Sequence, residues 1–229
     1  MRELALESTW DAERLAREER ALALVPFGSM EQHCEAPLGS DTIIVWELAK
    51  RVCRGLGERG VVCVLLPVVP YGFSPEWGGA PGTVTLSLST FTGLVRDLLE
   101  SLWRSGFRRV ALLNGHGGNS GLLEATAREW ASHRPRALVV VVDYWRAAGL
   151  GLGHCCEAEE RLLSEALGRR VRCGCSGSVS SVRGARAIRI RENPAGLGMP
   201  GRGGVGLEEA AARVVDAVLE ALRVGGMSL

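Results

Sequence analysis

Residues 21–42, ALALVPFGSMEQHCEAPLGSDT, pass from an apolar run into a Gly- and Pro-broken stretch that carries Glu31, His33 and Asp41. The apolar part, 21–27, reads as a strand covered on both faces. The polar part cannot be a continuous helix, but Ser40 or Asp41 can cap a helix that begins near Thr42. The unit is therefore strand, loop, helix. If residues 31–33 stay extended, Glu31 and His33 project to one side because side chains alternate. Asp41 then returns at a helix start, where the dipole favours a carboxylate. Two readings are open: a polar surface loop, or a metal site.

Working outward, further apolar runs at 61–69, 109–114 and 137–143 read as strands. Between and after them, helices are expected at 42–55, 89–105, 119–132, 157–167 and 207–224. This alternation predicts an α/β fold, three-layer α/β/α around a mostly parallel sheet. Gly- and Pro-rich segments at 70–83 and 192–206 are long enough to be functional loops. There is no internal repeat, and the 229 residues are read as one domain, 1–229.

Composition narrows the partners. With 27 basic and 26 acidic side chains the formal charge is +1, which creates no field to recruit nucleic acid or an anionic membrane. A small-molecule ligand is the expectation. No apolar run is long enough to span a bilayer, and the charged N-terminal stretch has no apolar signal core, so a cytoplasmic protein is expected. Seven cysteines, an odd number, argue against a complete disulfide framework.

Two more polar clusters follow strand ends. NGHGGNS, at 114–120, places His116 at the carboxyl end of a strand, the edge where open parallel sheets bind ligands. GHCCEAEE, at 153–160, carries His154 and Glu157, three apart and so on one face of a helix that begins there; Glu159 would point elsewhere. A lone histidine is more often a cap or a satisfied polar residue than a ligand, and His133 looks like ordinary surface. The conjunction of carboxylates and imidazoles is what favours Zn, Mn or Fe and metal-assisted hydrolysis. A competing reading takes Gly115 and Gly117, the following helix and Asp143 as a dinucleotide-binding unit. Its third glycine is replaced by Ser120, and it leaves Glu31, His33 and Asp41 unexplained.

The series VPFGSMEQHCEAPLGSDT, YGFSPEWGGAPGTVTLS, GFRRVALLNGHGGNSG and GHCCEAEERLLSEAL resembles the creatininase (creatinine amidohydrolase) family in order and spacing, over roughly residues 5–225. The resemblance implies an α/β/α fold, a homo-oligomer that can be a hexamer, and a two-metal site acting on C–N bonds. Carried onto matching positions, Glu31 and His116 would hold one divalent ion, His33 the other, and Asp41 would bridge them. His154 would be the catalytic proton donor to the departing nitrogen.

Some family members place a metal-binding glutamate two residues after the NGH histidine, where this chain has Gly118. Others carry one three residues after the later histidine, which makes Glu157 the expected ligand and Glu159 the second choice. Ser74, Trp77, Gly117 and Trp145 are expected substrate contacts. Cys34, where the family often has glycine, and Cys155 with Cys156 raise the idea of a thiolate ligand or redox sensitivity. Family substrates range from creatinine to a formamidopyrimidine nucleotide deformylated in flavin and deazaflavin synthesis, and to a mycofactocin-type peptide. The expected substrate is a small-molecule amide, cyclic amide or formamide. A phosphate-bearing one would call on Arg183, Arg186, Arg189 and Arg202.

Overall fold

The structure, a computed structural model, describes residues 2–150, 153–174 and 204–227; Arg183, Arg186, Arg189 and Arg202 lie outside them. The described strands are β1 (Arg2–Glu3), β2 (Ala21–Phe27), β3 (Val62–Leu65), β4 (Arg109–Asn114) and β5 (Leu138–Asp143). They form one sheet in the order β1-β3-β2-β4-β5, every pair parallel. The helices are α1 (Thr9–Arg17), α2 (Ser40–Glu58), α3 (Leu88–Arg104), α4 (Ser120–Ser132), α5 (Tyr144–Ala147), α6 (Glu157–Leu167) and α7 (Leu207–Val224).

Period-two alternation divides the strands between two cores. Leu22 and Leu24 of β2, with Ala111 and Leu113 of β4, face α2, α6 and α7. Ala23, Val25 and Phe27, with Val110 and Leu112, face α1, α3 and α4. The result is the three-layer α/β/α arrangement expected from the sequence. After β2 the chain moves to β3 on one side, and after β4 to β5 on the other, so the order reverses between β2 and β4. A crevice at the carboxyl ends of such neighbours is where open sheets bind ligands. The register Phe27↔Asn114↔Asp143 brings the ends of β2, β4 and β5 level there.

Differences from the expected elements have local causes. The strand expected over 61–69 stops at Leu65; Pro67 cannot donate to a ladder. The helix expected to end at Gly55 runs on to Glu58, because Gly55 serves packing instead of termination. A Cβ there would sit 3.0 Å from Val215 Cγ2 of α7. Helix α3 is capped by Ser87, whose side chain accepts from Thr90 N–H, two residues before the expected Ser89. Helix α1 was not expected; only Leu15 and Ala16 of its nine residues are buried.

Cys53 of α2 and Cys63 of β3 form a disulfide, while Cys155, Cys156 and Cys173 are free. The bond closes the α2–β3 connection, with a sequence separation of 10. Loop-closure entropy for a loop of this length is worth about 2–3 kcal/mol. The Cys53→Ala/Cys63→Ala variant should lose about that much in guanidinium unfolding; an unchanged midpoint would show that the cross-link contributes nothing.

Candidate metal centre

Three connections meet at the carboxyl edge. The loop after β2 turns back on itself through Glu31 N–H to Leu38 O (3.0 Å) and Ala36 N–H to His33 O (2.9 Å). Buried Asn119 ties it to its neighbours: Nδ2 donates to Gly28 O (3.1 Å) and Oδ1 accepts from Phe73 N–H (2.9 Å). Asn114 holds the turn after β4 by accepting from His116 N–H (3.1 Å) and donating to His116 O (2.8 Å). None of these asparagines was singled out from the sequence, although both lie in NGHGGNS.

The clasp buries Glu31, His33, Asp41, His116 and Glu159 together. Among the described residues four triads each bring their donor atoms within 4.8 Å of one another: Glu31, Asp41 and His116; His33, Asp41 and Glu159; Glu31, His33 and His154; and Cys155, Glu159 and Cys173. Asp41 belongs to the first two. Its Oδ2 is 3.0 Å from His116 Nδ1 and its Oδ1 is 3.4 Å from His33 Nε2, which is 3.5 Å from Glu159 Oε1. Ser29 Oγ donates to Asp41 Oδ2 at 2.7 Å and fixes the carboxylate's rotation.

Each imidazole is turned by its outer nitrogen. His33 Nδ1 donates to Glu31 O at 3.0 Å, and His116 Nε2 lies 3.1 Å from both Phe73 O and Ser74 Oγ. His33 Nε2 and His116 Nδ1 therefore face Asp41, in the orientation that a backbone carbonyl imposes on ligating histidines, and His116 Nε2 also lies 3.4 Å from Glu31 Oε2.

Electrostatics reflects the crowding. Burial, reinforced by Asp41, pushes Glu31 up to about 7. Burial likewise raises Glu159. Burial disfavours charge on His116, but Glu31 and Asp41 outweigh it and push the ring up to about 10. For His33 the same contest is won by Glu159 and Asp41, and the ring lies well above its ordinary value. Burial would raise Asp41, yet His33 and His116 hold it well below the carboxylate range. Glu31 Oε2 and His33 Nε2 are buried without a hydrogen-bond partner among the described residues, a costly state for polar atoms. Carboxylate and imidazole donors fit a divalent cation such as Zn, Mn or Fe, which would satisfy both atoms and offset the burial and the Asp41 repulsion that raise Glu31.

His154 stands at the edge of the cluster, its Nδ1 3.4 Å from Glu31 Oε1 and its Nε2 2.9 Å from Gln32 Nε2. Trp77 stacks on it, with ring centroids 4.7 Å apart at 22°. Burial, then the neighbouring His33, lowers His154 to about 3. Gln32 was not anticipated, because simple alternation would send it away from Glu31 and His33.

The remaining expected residues separate. Glu157, expected in the cluster, is exposed, and its place is taken by the second choice, Glu159. The reason is helix phase. Helix α6 begins at Glu157, so His154 precedes it and the three-residue spacing has no helical meaning. Glu159, at the third helical position, bends back so that Oε2 accepts from Cys155 N–H at 2.6 Å, much as in a capping box.

Ser74, expected to touch substrate, is fully buried against His116. Gly117 opens a short 3-10 turn, Gly117–Asn119. Trp145 packs into the apolar core beside Tyr144, and its Nε1 has no partner among the described residues. Cys34 is disulfide-bonded, which removes it as a thiolate ligand. Asp143, the acidic residue of the dinucleotide reading, accepts from Asn114 Nδ2 and Ser120 Oγ, and His116 turns into the carboxylate cluster. At Gly118 a Cβ would collide with Phe73 O and lie 2.5 Å from His116 Nε2. A glutamate has no room there.

A family model described as creatininase, creatinine amidohydrolase, matches residues 6–172. A 3-dehydro-scyllo-inosose hydrolase of Thermotoga maritima is 36% identical over 42% of this chain and 30% of its own length. A creatinine amidohydrolase of Pseudomonas putida is 32% identical over 53% of this chain and 49% of its own length. The chain thus matches less than half the length of these two relatives. Among solved structures, a mutant creatininase of Zn-Zn type has a TM-score of 0.76 at 20% identity, covering 95% of this chain and 97% of that chain. At that identity the likeness is one of fold.

Two glycine substitutions separate crowding from helix propensity. Gly118→Ala should cost about 1–3 kcal/mol by overpacking His116 and Phe73. Gly121→Ala, on α4 with nothing within 4 Å of the added atom, should gain about 0.5–1 kcal/mol. Equal effects in thermal or denaturant unfolding would contradict the crowding assigned to Gly118.

Proposed function

The chain belongs to the creatininase family, and from that premise we propose that it is a metal-dependent hydrolase that cleaves the C–N bond of a small amide, cyclic amide or formamide. The observation that carries the reading is the pair of buried donor triads sharing Asp41, with Glu31 Oε2 and His33 Nε2 buried and without a hydrogen-bond partner among the described residues. In this reading Glu31 and His116 would hold one divalent ion and His33 and Glu159 the other, with Asp41 common to the two donor sets. Zn, Mn and Fe all suit this donor set. Such ions supply Lewis acidity, polarising a carbonyl and bringing the deprotonation of water near neutral pH.

The protein supplies the rest. Ser29 Oγ holds Asp41, and Phe73 O and Ser74 Oγ hold His116, in orientation. Trp77 closes over His154 and limits water beside the cluster. His154 Nδ1 faces Glu31, so a substrate nitrogen departing from that edge would meet it; burial holds the ring neutral, and as the proton donor it would first have to take up a proton in the course of the reaction.

The two relatives are named for creatinine and for 3-dehydro-scyllo-inosose, chemically unlike molecules, so family membership leaves the substrate open. Homo-oligomeric assembly is part of the same proposal. Tyr71, Val84 and Leu88 are exposed apolar residues on this chain, available to another copy.

Metal analysis tests the centre directly. Wild type should carry about two ions per chain. Asp41→Ala should lose both, Glu159→Ala should lose one, and Glu157→Ala should keep both. A wild type that takes up no Zn, Mn or Fe would end the hydrolase reading.

A further inference from the structure

Gln32 lies between Glu31 and His33 and is itself buried. Its Oε1 accepts from the backbone N–H of Cys34 at 3.2 Å. Cys34 sits in the left-handed region, at φ 53°, within the turn that follows His33. A backbone N–H can only donate, so the amide oxygen must face Cys34 and the amide nitrogen must face the other way. What it faces is His154 Nε2, at 2.9 Å.

An amide nitrogen has only protons to offer. A proton on His154 Nε2 would set donor against donor, so that atom must present its lone pair, and the ring's proton resides on Nδ1. Nδ1 is the nitrogen 3.4 Å from Glu31 Oε1. Trp77 stacked on one side and His33, with its ring centroid 4.4 Å away, restrict rotation of the ring that would exchange the two nitrogens.

We propose that Gln32 is a positioning residue: anchored by the Cys34 N–H, it selects the Nδ1–H tautomer of His154 and so aims the ring's proton at the metal-ligand cluster. Its significance for turnover rests on the reading of His154 as proton donor. Its geometry does not, and the test below requires no turnover. The mechanism is that of tautomer selection by the partner on the opposite nitrogen.

The test is long-range 1H–15N correlation on 15N-histidine-labelled protein purified with zinc, which is diamagnetic. The His154 resonances are identified by their loss in His154→Asn. In wild type, His154 Nε2 should resonate as an unprotonated, pyridine-type nitrogen and Nδ1 as a protonated, pyrrole-type one.

Gln32→Glu keeps the side-chain shape and replaces the donor with an acceptor, so Nε2 should move to the pyrrole type. Gln32→Leu removes the partner, and the two nitrogens should move towards averaged positions. Backbone amide spectra matching wild type establish that each variant is folded. A wild-type Nε2 of pyrrole type, or a pattern unmoved by both substitutions in folded protein, would overturn the proposal. Because metal content is read separately, failure here would leave the hydrolase reading standing, and loss of the hydrolase reading would leave the tautomer result intact.

Discussion

The structure turns on Asp41, a carboxylate buried at the start of α2 between two inward-facing imidazoles. Burying one carboxylate is costly; burying three within reach of one another is tolerable only where cationic or hydrogen-bonding partners surround them. Every segment at the carboxyl edge contributes to that requirement. The loop after β2 brings Glu31, His33 and Ser29, the turn after β4 brings His116, and α6 brings Glu159. The level register of β2, β4 and β5 makes such convergence possible, because it starts these segments from one line.

Outside the clustered carboxylates and imidazoles lies a shell of mostly neutral hydrogen bonds. Asn119 links Gly28 to Phe73, Asn114 spans the turn around His116, and Ser74 and Phe73 O fix the outer nitrogen of that ring. These contacts use backbone carbonyls and amides that would otherwise be unsatisfied in a buried loop. They also leave no volume at Gly118, where a side chain would strike Phe73 O. Glu159 and Gly118 are thus two sides of one arrangement: the position closed by packing cannot supply a carboxylate, and the first turn of α6 supplies one instead.

His154 differs from the other cluster histidines in kind. Its environment disfavours charge, through burial and the neighbouring His33, whereas His33 and His116 are held by carboxylates. One ring held neutral by burial, beside two held charged by carboxylates, is a division produced by placement and not by residue type. Trp77, lying over the same ring, joins the protection of the site to its chemistry.

Much of this was legible without coordinates. The apolar runs dictated β2 and β4 to the residue, because near-continuous Val, Leu and Ala between turn signals suits only a strand covered on both faces. The placing of Glu31, His33, Asp41 and His116 after those strands identified the edge at which they would meet. What sequence could not decide was direction over short distances. Whether Glu157 or Glu159 enters the cluster depends on where α6 begins, and a shift of a few residues in helix phase exchanges a buried carboxylate for a solvated one. Gln32 looked outward by alternation and is turned inward by a left-handed turn at Cys34. The pattern of residue types determined the fold and the chemistry available to it; only tertiary packing decided which side chains face the site, because those orientations depend on contacts between segments far apart in the chain.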